Sequence, residues 1–166
     1  MNATTAASPA GLEEAIDAAL RLRDALAAEV ERARAERHLL RSLDARALFT
    51  RAAERGAFLA EVARLEREVA SALAAAGGAL GLREVTVAAL RLRAPAEGDA
   101  LARALGEVRA LAGALGELDA LNLALANRAL ACVRGYVNAV TPPATAYDRR
   151  GLRAAAPALS MVSGKV

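Results

Sequence analysis

Apolar residues recur along most of this chain at spacings of three, four and seven, the period of one helix face. The first stripe runs Leu12, Ile16, Leu20, Leu22, Leu26, Val30, Ala33 and Leu40, with Arg and Glu opposite it, and predicts a helix over 12–41. Ser8 as N-cap, Pro9 at the first helical position and Glu13-Glu14 in the first turns mark its start. No Gly or Pro falls between Leu12 and Arg55, yet Ser42-Leu43-Asp44 offers caps where the charged pattern gives way, and a tight turn is placed there. A second helix is expected over 45–76, with Leu48, Ala52, Leu59, Val62, Val69, Leu73 and Ala76 in the a and d positions of a heptad. Arg55 and Glu66 fall on the two positions that break this seam, and Leu65 is expected to substitute locally. Gly77-Gly78 and Gly81 are read as the stop. A short helix over 84–92 and a loop through Pro95 and Gly98 follow.

The longest stripe comes last: Leu101, Leu105, Val108, Leu115, Leu118, Leu125, Ala129, Val133, Tyr136 and Val140 predict a helix over 99–140. Thr141-Pro142-Pro143 ends it, because proline has no N–H to donate. Helices this long cannot bury themselves in a compact globule. The predicted fold is all-α: an elongated antiparallel helical bundle or coiled-coil hairpin, with a third long helix and a flexible C-terminal tail. Residues 1–140 form the helical body and 141–166 the tail.

Composition sharpens this. The chain has 47 Ala and 26 Leu, no Trp, two Phe, two Tyr and one Ile. Sheets need β-branched and aromatic side chains, so none is expected. No apolar run reaches the roughly 18 residues of a bilayer span; the longest, Val69 to Leu82, is rich in Ala and Gly, and no membrane insertion is expected. Met1 to Gly11 has neither a basic nor an apolar leader region, so the expected location is cytoplasmic.

Charge excludes further classes. The net +3 resides entirely in residues 141–166, where Arg149, Arg150, Arg153 and Lys165 face the single acid Asp148. A neutral body without aromatic readers argues against nucleic acid. Cys132 and His38 are the only cysteine and histidine, too few for a zinc site, so no metal is expected. Cys132 is read as a small hydrophobe in a helix seam and His38 as an exposed helix residue. Carboxylates such as Glu13-Glu14, Glu66 and Glu68 alternate with Arg as on a solvated face, and no catalytic residue is assigned. Gly77-Gly78-Ala79-Leu80-Gly81-Leu82 lacks the Gly-Lys-Ser/Thr ending of a phosphate-binding loop, so no cofactor is expected.

Three stretches together carry a resemblance. The first is Leu39-Leu40, Leu43-Asp44-Ala45-Arg46-Ala47-Leu48, Arg55 to Leu59 and Leu65-Glu66-Arg67-Glu68; the second is Leu118 to Leu130, with Asn122 and Asn127; the third is Thr145-Ala146-Tyr147-Asp148-Arg149-Arg150-Gly151. In order and spacing across 12–151 the sequence resembles the FlgN family, cytoplasmic chaperones of flagellar type III export that guard the hook-filament junction proteins. The resemblance implies a passive holder that keeps those clients soluble and delivers them to the flagellar export gate. It points to Leu118, Leu121, Leu123, Leu125, Asn127 and Leu130 for client binding, a set with more leucines than one narrow seam can bury. It points to Tyr147, with Arg149 and Arg150, for docking at the export gate. The competing reading from the heptads alone is a structural rod or stalk that pairs with copies of itself, which leaves the tail idle.

Overall fold

A computed structural model describes residues 10–140, and within them the chain is all-α with no strand. Four helices follow one another: α1 (Ala10–Ser42), α2 (Ala45–Ala79), α3 (Val87–Arg93) and α4 (Pro95–Val140). The chain divides into two units, Met1–Ala129 and Leu130–Val166, and α4 passes from the first into the second.

In the first unit α1 and α2 form an antiparallel hairpin: Gly11 lies against Ala76, Arg21 meets Glu68 at 3.2 Å, and Glu29 meets Arg51. The turn between them sits at the Ser42-Leu43-Asp44 step. Leu43 takes a left-handed φ of 54°, and Asp44 caps α2 by accepting from the Ala47 N–H at 3.0 Å. This part of α4 runs parallel to α1, since Arg23 reaches Glu107 at 3.3 Å and Asn122 reaches the Ala33 carbonyl. Two apolar clusters fill the space between. One joins Leu12, Ala15, Ala18 and Ala19 to Val69, Ala72, Ala76, Leu90, Ala94, Leu101 and Ala104; the other joins Leu22, Leu26, Val30 and Ala33 to Phe58, Leu65 and Leu115.

Several expectations are corrected. Gly77-Gly78 does not stop α2, which continues to Ala79; the chain turns at Gly81, whose φ is +65°. Gly77 is there for space: a Cβ on it would fall 2.1 Å from Val85 Cγ2. Pro95 and Gly98 form no loop. Pro95 opens α4, where its missing N–H is no loss, and Gly98 lets α4 approach the Arg91 backbone. The short helix begins at Val87, after Thr86 caps it, rather than at Glu84.

The seam of α2 is also shifted by one residue along half its length. The buried line is Arg51, Phe58, Leu65 and Ala72, alternating with Arg55, Val62, Val69 and Ala76; Ala52, Leu59 and Glu66 face solvent. Leu65 does substitute for Glu66, and it belongs to a complete heptad line. Cys132, expected in a seam, is exposed. Every described residue from Leu130 to Val140 is exposed. Ser8-Pro9 lies outside the described residues.

Candidate functional site

Two features of the helices stand out, a buried polar layer and an uncovered apolar run. The polar layer forms where the apolar stripes fail. On α1 the spacing Leu26, Glu29, Val30, Ala33 places an acid on the inward face, and on α2 Arg51 and Arg55 take consecutive seam positions. Glu29 is fully buried. Its Oε1 accepts from Arg51 Nη2 at 2.5 Å and Arg55 Nη1 at 2.9 Å, and its Oε2 from Arg32 Nε at 2.8 Å. Arg51 Nε also lies 3.3 Å from Glu36, and Arg55 bonds Asp119 on α4. Asn122, one turn on, donates to the Ala33 carbonyl at 2.8 Å. The layer thus ties all three long helices of the first unit together.

Its charges balance, with Arg32, Arg51 and Arg55 against Glu29, Glu36 and Asp119. Burial raises the Glu29 pKa, but the bonds from Arg51, Arg32 and Arg55 outweigh it and hold the carboxyl below its ordinary value. A groove of about 430 Å³ opens beside the layer, lined by Arg51, Arg55 and Asn122 with Leu40, Leu48 and Leu123 among its apolar walls. The layer contains no nucleophile or histidine, and every carboxylate in it is paired with a guanidinium. Its bonds run from α1 to both α2 and α4. No group of His, Cys, Asp and Glu suited to a metal ion occurs among the described residues.

The apolar run lies toward the end of α4. In the first unit, inward positions follow Leu101, Val108, Leu115 and Asn122, alternating with Ala104, Leu111 and Leu118. At Asn122 the apolar pattern steps by one residue, to Leu123 and Ala126, which is about 100° of helix rotation. Among the described residues of the second unit, the aliphatic side chains larger than alanine are Leu130, Val133, Val137 and Val140, spaced 3-4-3, the a and d rhythm of a coiled coil, with Tyr136 beside them. All five are exposed, Tyr136 by 70%.

The sequence-derived binding residues divide accordingly. Leu118 is half-buried against the second apolar cluster, and Leu125 is half-buried as well. Leu121, Leu123, Asn127 and Leu130 are exposed, Leu123 by 64%. Tyr147, Arg149 and Arg150 lie outside the described residues. His38 is exposed, as expected. Val133, Tyr136 and Val140, assigned from the sequence to an internal seam, are instead uncovered, and Val137 joins them. The one-residue step at Asn122 is the signal for Val133, Val137 and Val140, while Tyr136 stays in register with Asn122 and Ala129 and carries no such signal. Of the polar layer only Arg55, as a break in the α2 seam, and Asn122, as part of the resemblance, were picked out from the sequence; an acid at Glu29 on an apolar stripe, matched by two arginines four apart, was the available clue.

A family model described as FlgN protein matches residues 7–154. No curated protein and no solved structure matches the chain.

Proposed function

The chain belongs to the FlgN family, and from that premise we propose that it is a cytoplasmic flagellar export chaperone. It binds hook-filament junction proteins, keeps them soluble and delivers them to the export gate without chemistry of its own. The observation that carries this is the uncovered heptad of α4, Leu130, Val133, Val137 and Val140. A soluble helix that leaves such a stripe open is built to receive another helix, laid into it at successive a and d positions. Export clients whose helices pair with one another only after assembly need a temporary partner of this kind. Leu121, Leu123, Leu125 and Asn127, with half-buried Leu118, are proposed to bind the client along with Leu130. Tyr147, followed by Arg149 and Arg150, docks at the export gate: a tyrosine supplies a large ring with few rotamers to freeze, and the arginines steer toward an acidic surface.

Coexpression with the junction proteins of the native cell tests the reading. A defined complex that resists gel filtration is expected, with Tyr147→Ala lowering gate binding and export while client capture persists. A chain that ignores the junction proteins and grows into oligomers by itself would replace the chaperone with the self-assembling rod.

A further inference from the structure

A second groove, distinct from the polar layer, runs between the last turns of α1 and the Leu121–Arg128 stretch of α4. It encloses about 310 Å³ and is lined by Arg37, Arg41, Leu121, Ala124, Leu125 and Arg128. Its floor is apolar, with Leu125 half-buried and Leu121 exposed by 57%. Its charge has one sign. Arg37, Arg41 and Arg128 make no ion pair among the described residues, whereas nearby Glu36 and Asp119 are taken by Arg51 and Arg55 at the other groove. Four further grooves along the helices each carry both signs, as Glu36 with Arg51, Asp119 with Arg55, Glu14 and Glu68 with Arg21, and Glu61 with Arg32. The carbonyl end of α1 accounts for Arg41, which sits in its last turn. It does not account for Arg37, a turn earlier, or for Arg128 on the other helix.

We propose that this groove docks an amphipathic helix of a partner protein whose apolar stripe is edged on both sides by Asp or Glu. Two parallel helices with a furrow between them offer ridges and grooves for a third. Guanidinium groups on both walls match acids flanking the stripe, as e and g residues do in a coiled coil. The apolar floor and the lack of aromatic readers do not suit nucleic acid. The inference shares Leu121 and Leu125 with the client surface and adds the chemistry of the docking segment. It is tested with synthetic probes, so its failure leaves the client reading to be judged on the junction proteins.

The probes are two synthetic helical peptides, each about three heptads long with the same leucine stripe, one flanked by Glu and the other by Lys. The Glu peptide is expected to bind about tenfold more tightly at low salt, losing that margin as salt rises. Methyl resonances of Leu121 and Leu125 should move, and those of exposed Leu92 should not. The variant Arg37→Gln/Arg41→Gln/Arg128→Gln, checked for unchanged helicity, should bind both peptides alike. Equal binding of the two peptides to the unaltered protein, binding of neither, or an arginine-dependent preference for anionic phosphatidylserine vesicles over the Glu peptide would each overturn the proposal.

Discussion

Glu29 is the most deeply buried charged side chain among the described residues. A carboxylate without solvent exposure is tolerated only because three guanidinium groups bond it, and Arg51 is almost as deeply buried. Replacing the acid by Ala would leave buried Arg51 with Glu36 as its one remaining acid, and a loss of roughly 3–5 kcal/mol in urea unfolding is expected. The double change Glu29→Leu/Arg51→Met should recover most of that loss, because a well-packed apolar pair of similar volume needs no desolvation. Acid acts through the same carboxyl. Its folded pKa lies below the ordinary 4.5, so its stabilising contribution is full above that value and disappears as pH falls through the folded pKa. Thermal unfolding followed from pH 7 downward should therefore steepen below the ordinary carboxyl range in the natural chain. The double variant should show a flatter profile there, and identical profiles would remove Glu29 from this role.

Among the elements, glycines separate close approach from mere helix weakening. At Gly11 an added Cβ would lie 2.9 Å from the Ala76 backbone nitrogen and 3.2 Å from the Ala72 carbonyl, with only backbone to yield. Gly11→Ala is expected to destabilise by about 1–3 kcal/mol, the range for overpacking. Gly113 has open space around its Cβ position, so Gly113→Ala should stabilise α4 by roughly 0.5–1 kcal/mol. Denaturant midpoints of the two variants, moving in opposite directions, check this. The same contrast explains what could be read from the chain. Helix class and the Asp44 turn were legible because propensity and capping are local, within a few residues. The end of α2 was not, since Gly77 answers to Val85, a tertiary contact. Nor was the α2 seam: Leu59 and Phe58 are equally apolar, and Arg51 belongs inside only because Glu29 waits on another helix. The candidate surface was half legible. Leu121, Leu123 and Leu130 were recognised as surplus to one seam, while Val133 and Val140 fit a seam by period alone, and periodicity does not say whether a partner helix is present.

For the whole molecule, the residues that build the core and the residues proposed to bind a client are different ones. The two apolar clusters and the polar layer all belong to the first unit, and the described residues of the second contribute no buried side chain. Covering Leu130, Val133, Val137 and Val140, each already partly shielded by its own helix, would yield about 1 kcal/mol apiece, or roughly 4 in total. Association itself costs at least about that much, so this run alone cannot hold a client firmly. Leu121 and Leu123, exposed on the first unit, are the further residues proposed to bind a client. The division predicts a clean dissociation of effects. Val133→Glu/Val137→Glu should change the unfolding free energy by no more than about 0.5 kcal/mol, because both side chains already face water. The same pair should abolish capture of junction proteins in copurification, since a bound helix would bury two unpaired carboxylates. Leu115→Glu, inside the second cluster, should do the reverse and cost the fold before any client is added. If Val133→Glu/Val137→Glu instead lowers the melting temperature substantially without client, the end of α4 is packed against the chain's own bundle in solution. The client surface would then have to lie elsewhere.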